Sequence, residues 1–366
     1  MNQSPASCER ETSRRITVPR PSLLSLRWPV LLLVVAAASL TSLAPNEPAP
    51  SHASNAASLA YTALGDSLTA KAGYVDRYTN DVSTDLGVPV TLTNLGIPGY
   101  SSGGLAHKLA NDQRFRDAVA NASLITVMVG INDVGVASLA YEQGTCGGPD
   151  NQDCIRNTAS AFREHFTTIL SRLRSINGDR NAVILVADIY NPGVQAQADV
   201  GTIDVYLPLF NQINSDIHSI SAANGISVAN VYEAFNGADG LEDPIARGYI
   251  AVDDVHASAE GHAVIAAQFR SFSSVLLDAD TDRDGFSNLA ENYYGADLLA
   301  SCPESRLHTA WPPDQNNDGV VSVVDVLSIL GRFRSPNHRF DLNMDGTVAA
   351  VDILYELAYY GKSCPS

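Results

Sequence analysis

Four short polar clusters in the 366-residue chain hold the residue types of nucleophilic catalysis. They are Gly65-Asp66-Ser67-Leu68, Gly96-Ile97-Pro98-Gly99-Tyr100-Ser101, Gly130-Ile131-Asn132-Asp133 and Asp253-Asp254-Val255-His256. A serine hydroxyl attacks poorly until a base takes its proton. An imidazole suits that task, which pairs Ser67 with His256. Asp253 lies three residues before His256 and can turn back to hold the imidazole N–H, fixing the tautomer. Asp254, at a spacing of two, is its rival. His262 is the rival base, but it sits inside a helical pattern with no aspartate three residues before it. Asp66 and Asp133 read as turn carboxylates that bond local backbone N–H groups.

A second chemistry lies in residues 278–366, which carry 14 acidic and 6 basic residues. Three stretches there match the twelve-residue calcium loop. The first offers Asp280, Asp282, Asp284, the carbonyl of Phe286, Asn288 and Glu291, with Gly285 at the sharp turn. The second offers Asp314, Asn316, Asp318, the carbonyl of Val320, Ser322 and Asp325. The third offers Asp341, Asn343, Asp345, the carbonyl of Thr347 and Asp352. Ala349 supplies no side-chain ligand at its ninth position, so this site should lean on water and bind more weakly. The last two loops repeat at an offset of 27, and each runs into apolar residues at helical spacing, Leu327/Leu354 and Leu330/Leu357 among them. Ca²⁺ is the expected structural ion, and serine catalysis itself needs no metal.

These residues need elements to position them. From residue 60 to 277, β-branched runs alternate with helical patterns. Expected strands cover 61–64, 91–95, 124–129, 182–187 and 226–231. They are near-continuously apolar, as strands buried on both faces must be. Expected helices include 158–176, where Phe162, Phe166, Ile169 and Leu173 share one face, and 207–223. The alternation implies an α/β domain with a five-stranded parallel sheet and helices on both sides. Active sites of such sheets lie at the carboxyl ends of the strands. The first three clusters follow the first three strands, and the His256 cluster follows the fifth. Tyr190, Asn191 and Pro192 follow the fourth and are candidates to line the pocket.

In content and order the four blocks resemble those of the SGNH, or GDSL, hydrolase family of esterases and lipases, over residues 61–277. The resemblance implies a three-layer α/β/α, flavodoxin-like fold and hydrolysis of carboxylic esters. It also implies an oxyanion hole built from the backbone N–H groups of Ser67 and Gly99 and the side-chain amide of Asn132. One departure is Ala257, where the family often has proline after the catalytic histidine. The last two acidic loops resemble a type I dockerin, a duplicated calcium loop–helix module with a cohesin as partner. The first loop resembles bacterial calcium repeats that link domains. Dockerin recognition positions are commonly polar, whereas here they are Val323-Val324 and Ala350-Val351. Packing within the tail or on the hydrolase domain is the competing expectation.

Composition bounds the rest. Hydrophobic residues make up 45%, enough for a sizeable core, and charged residues only 17%. A net charge of -17 argues against binding nucleic acid. Five arginines precede the 17-residue apolar run 28–44, as in a secretory signal, with an uncleaved anchor as the alternative. The expected plan is therefore a signal at 1–44, a linker at 45–58, the hydrolase domain at 59–277, a calcium repeat at 278–301 and the dockerin-like module at 302–366. Export implies oxidised cysteines. Cys8 falls in the leader. Of three connectivities for the other four, Cys146–Cys154 and Cys302–Cys364 keep each bridge within one domain. A zinc site is the weaker reading, since no C-x2-C or paired histidines accompany them. The insertion 141–157 is either a pocket wall or a stapled surface loop. The expected protein is a secreted esterase or lipase acting on a small-molecule or polysaccharide ester, with no membrane contact after cleavage. The alternatives are a carbohydrate acetylesterase and, in another class, a calcium-dependent scaffold with an inactive hydrolase domain.

Overall fold

Side chains of the central strands alternate between two apolar clusters. Ile125, Val127 and Val129 enter one, with Ile184 and Val186. Leu124, Met128, Leu185 and Ala187 enter the other. This period of two means a sheet covered on both faces. The computed structural model describes residues 58–365. The expected leader, Cys8 and all but the last linker residue lie outside them.

The strands are β1 (Leu59–Gly65), β2 (Val90–Gly96), β3 (Leu124–Met128), β4 (Val183–Ala187) and β5 (Ser227–Ala229), all parallel in the order β2-β1-β3-β4-β5. After β1 come α1 (Ser67–Ala70) and α2 (Tyr74–Leu86), and after β2 come α3 (Ser102–Asn111) and α4 (Gln113–Asn121). After β3 come α5 (Ile131–Glu142) and α6 (Asp153–Asn177), and after β4 come α7 (Val194–Asp199) and α8 (Ile203–Ala223). After β5 come α9 (Val231–Asn236), α10 (Ala259–Arg270) and α11 (Ser273–Leu277). Helices α3 to α6 and α8 bury their apolar stripes on one face, and α2 with α9 to α11 on the other.

Two elements differ from their sequence patterns. β5 pairs through only three residues, because Val231 already begins α9. Helix α6 starts at Asp153, before its apolar periodicity begins, and carries Cys154 in its first turn. The chain turns one way from β1 to β2 and returns to place β3 on the other side of β1. That reversal opens a crevice at the carboxyl ends of β1 and β3. Gly65 is level with both Gly96 and Met128, so the three loops that follow start side by side.

The tail contributes α12 (Asn288–Tyr294), α13 (Val323–Leu330) and α14 (Ala350–Tyr359), one behind each acidic loop. Ala290, Tyr294, Val326, Ile329, Val348 and Ile353 form a single small core, so all three units share it. Tyr294 Oη donates to the carbonyl of Leu342 at 3.0 Å. The tail also packs on the α/β body, where Leu298 is buried with Leu276 and Phe269. Val323, Val324 and Val351 remain exposed. Both disulfides, Cys146–Cys154 and Cys302–Cys364, are formed.

Candidate active site

The turn after β1 is shaped by close packing. A Cβ at Gly65 would lie 2.3 Å from the carbonyl oxygen of Met128, so only glycine lets this turn sit against β3. Ser67 then opens α1, with Asp66 as its N-cap accepting the N–H of Leu68 at 3.0 Å. Burial pushes the Asp66 carboxyl up to about 7. Its Oδ2 has no hydrogen-bond partner.

His256 arrives from the loop between α9 and α10. Its Nε2 lies 2.8 Å from Ser67 Oγ, and its Nδ1 lies 2.7 Å from Asp253 Oδ2. Asp253 Oδ1 accepts the backbone N–H of His256 at 2.9 Å and of Val255 at 3.2 Å. The His256 backbone N–H, followed by the imidazole, holds the Asp253 carboxyl well below the usual carboxylate range. Among the described residues, Asp253 is the only carboxylate bonded to this imidazole. Asp254 adopts a left-handed φ of 59°, its N–H donates to the carbonyl of Ala251, and it lines the cleft without bonding the imidazole. Tyr190 Oη ties the loop down through the carbonyl of Val255 at 2.8 Å. His262 is placed elsewhere: its Nδ1 accepts the N–H of Tyr74, and burial lowers its pKa.

Gly99 has φ of 80°, a backbone state that favours glycine. Asn132 Nδ2 donates to the carbonyl of Tyr100 at 3.0 Å, which aims the amide across the loop after β2. Ser67, Gly99, Asn132 and His256 all line one cleft of about 800 Å³, together with Tyr190, Asn191 and Pro192. Among the described residues, neither the Ser67 nor the Gly99 N–H is engaged by a backbone acceptor.

Asp133 corrects the sequence reading. It does not hold a local turn. Its two carboxylate oxygens accept the N–H of Ser102 at 2.8 Å and the hydroxyl of Ser102 at 2.6 Å, which clamps the start of α3 to the start of α5. Ser102 Oγ is also 3.2 Å from His165 Nδ1. The clamp fixes the loop that carries Gly99, and nothing in the sequence signalled a pairing 31 residues apart. A second unforeseen feature is the cleft wall made by α7 and α8, through Ala196, Val200, Tyr206 and Phe210. α7 has only six residues, too few for an apolar period to show. The wall on the other side is α5, and of the 141–157 insertion only Glu142, the last residue of α5, lines the cleft among the described residues. Cys146 is buried in the core there, and its bridge fastens the loop after α5 to α6.

The tail's acidic groups have a different character. Carboxylate oxygens of Asp280, Asp282 and Asp284 lie within 4.8 Å of one another. Asp282 Oδ2, Asp284 Oδ2 and both oxygens of Glu291 are buried without a hydrogen-bond partner. Burial pushes Asp282 up to about 6, Asp284 to about 8 and Glu291 to about 10, with each neighbouring carboxylate adding to the rise. Asn288 is turned aside: its amide donates to the carbonyl of Leu276 and accepts from Thr281 N–H. The other two loops repeat one pattern. Asp314 accepts Gly319 N–H and Asp341 accepts Gly346 N–H, while Asp325 and Asp352 accept the N–H of Asn316 and Asn343.

The chain resembles known proteins over its α/β body. The spore germination lipase LipC of Bacillus licheniformis is 25% identical over 222 residues, covering 58% of this chain and 95% of that protein. The crystal structure of the lipase Lip_vut3 from a goat rumen metagenome aligns at 23% identity with a TM-score of 0.50, covering 58% of this chain and 97% of that one. At that identity the likeness is one of fold. The family model for GDSL-like lipases and acylhydrolases matches residues 63–264, which span β1 to α10 and every residue of the cleft described above. This chain belongs to the GDSL-like lipase/acylhydrolase family and is an ester hydrolase.

Proposed function

We propose that Ser67, His256 and Asp253 carry out the hydrolysis of carboxylic esters in this protein. The observation that supports this most is the single imidazole bonded at once to Ser67 Oγ and to Asp253. Ser67 Oγ attacks the ester carbonyl while its proton passes to His256 Nε2. The oxyanion takes hydrogen bonds from the N–H groups of Ser67 and Gly99 and from the Asn132 amide. His256 then protonates the departing alcohol. In the second half a water gives its proton to His256 and attacks the acyl group, and His256 returns the proton to Ser67 Oγ as the acyl–oxygen bond breaks. Asp253 keeps Nδ1 protonated and holds the ring throughout.

The tail is in this reading a calcium-stabilised module of dockerin-like build. Asp280, Asp282, Asp284, the Phe286 carbonyl and Glu291 would hold one ion. The residues from Asp314 to Asp325 and from Asp341 to Asp352 would hold two more. Calcium supplies positive charge to clustered oxygen ligands, and its role here is structural. The fit rests on the partnerless buried oxygens of the first loop, which hydrogen-bond donors of the fold leave unmet. We place the protein outside the cell. Two disulfides favour an oxidising compartment, and no described helix is long and apolar enough to cross a membrane.

The test is Ser67→Ala. Ester hydrolysis should fall by on the order of 10⁶ while the thermal transition stays in place, and an alkyl fluorophosphonate should label the parent at Ser67 but not the variant. Full activity in the variant would remove Ser67 from the mechanism.

A further inference from the structure

The cleft extends well beyond the reacting groups. Ile131, Gly135, Ser138 and Glu142 all line it, at spacings of four, three and four. That is one stripe along the whole of α5. The 12 residues of α5 measure about 18 Å at the helical rise. The facing wall repeats the pattern: Ala196 and Val200 are four apart, as are Tyr206 and Phe210. The trough starts at Asn132 and reaches Glu142 and Tyr206, whose carboxylate and hydroxyl meet at 3.5 Å across its far end.

Gly135 is the position that keeps it open. It lies inside α5 with no positive φ, and a Cβ there would meet nothing within 4 Å. Neither backbone conformation nor crowding requires glycine, which is a poor helix residue. What its lack of a side chain preserves is empty space in the trough.

We infer that the acyl chain of the substrate lies in this trough, over Gly135, and that the protein prefers esters of medium and long linear acids to acetate esters. The inference rests on the esterase reading above and adds the substrate class. The direction follows from the chemistry. The leaving oxygen must face His256 Nε2 to receive its proton, and the oxyanion must face Asn132 and Gly99. The remaining substituent of the carbonyl carbon is the acyl chain, and the space left for it is along α5. An acetyl group would leave nearly all of the 800 Å³ unfilled. An all-trans chain of roughly a dozen carbons would span the length of α5.

A series of p-nitrophenyl esters from acetate to palmitate tests this with the full chain. The expected kcat/KM rises with length, by up to about fourfold per buried methylene, equivalent to about 0.8 kcal/mol, and levels off where the chain leaves the trough. Gly135→Phe should lower the ratio of dodecanoate to butyrate hydrolysis by on the order of tenfold or more. Gly135→Leu, a good helix former, should lower it less and covers the case in which the larger side chain prevents folding. A parent profile that is flat or falls from acetate onward overturns the inference, as does an unchanged ratio in a folded Gly135 variant. Hydrolysis of no ester at all would instead remove the esterase reading itself, together with this inference.

Discussion

Carboxylates at the cleft and in the first acidic loop of the tail are met in opposite ways. In the α/β body, carboxylates at the cleft are met by protein donors. Asp253 takes two backbone N–H groups and an imidazole, and Asp133 takes an N–H and a hydroxyl. In the first loop of the tail, Asp282, Asp284 and Glu291 bury oxygens with no donor. Burying an ionised carboxylate without a partner is costly, so such groups either hold a proton or, in the calcium reading proposed above, meet a cation. The first region is complete as a polypeptide. Under the proposed calcium reading, a cation would complete the first acidic loop of the second.

That contrast breaks most severely at Asp253. Replacing it with Asn leaves the shape but reverses a donor and an acceptor at His256 Nδ1, favouring the wrong tautomer. Asp253→Asn should lower kcat by on the order of 10⁴, while Asp254→Asn changes it little. Steady-state kinetics on both variants decide it, and the reverse order would give Asp254 the orienting role. Next in size is Asn132→Ala, with an expected fall in kcat of about 10²–10³ and a small change in KM. A change confined to KM would move Asn132 from the oxyanion to ground-state binding.

Chelation addresses the other half of the contrast. An ion held at a hundred times its Kd stabilises the folded form by about 2.7 kcal/mol per site. Calcium removal should therefore lower a tail transition seen by calorimetry, while hydrolysis persists, since no cleft residue belongs to an acidic loop. The Cys302–Cys364 bridge limits how far the tail opens. Activity lost in step with the tail would mean that the docking of Leu298 on the α/β core braces the cleft. Transitions insensitive to calcium would remove the metal from the tail.

The parallel sheet was legible because strands buried on both faces read as unbroken apolar runs, and 124–129 and 182–187 lie close to β3 and β4. Less legible was β5, since an apolar run does not say where an edge strand stops pairing. Ser67, Asp253 and His256 stood out by residue type and local spacing. The Asp133–Ser102 clamp did not, because two ordinary turn residues become partners only when adjacent strands bring their loops together. The trough was hidden for a related reason. Its stripes on α5, α7 and α8 are individually short, and Gly135 looks like a weak point in a helix until the facing wall is present.

One carboxylate crosses the line between the two regions, and it yields the smallest effect. Asp66 is 1% exposed, and its Oδ2 is the one carboxylate oxygen of the α/β body found buried without a partner among the described residues. Burial raises its pKa to about 7, from about 4 in an unfolded chain. Between those values the folded protein holds a proton that the unfolded chain has released. The native state thus binds more protons, and stability falls as pH rises from about 4 through about 7. Between pH 6 and pH 8 a single group with this pKa removes about 1.4 kcal/mol. Asp66→Asn keeps an oxygen for the Leu68 N–H and an equally good N-cap, but cannot ionise. The variant should lose less stability than the parent on going from pH 6 to pH 8, by on the order of 1 kcal/mol or a few degrees in Tm. Parallel pH profiles for the two proteins would show that Asp66 is charged and satisfied like its neighbours, and the α/β body would then have no exception.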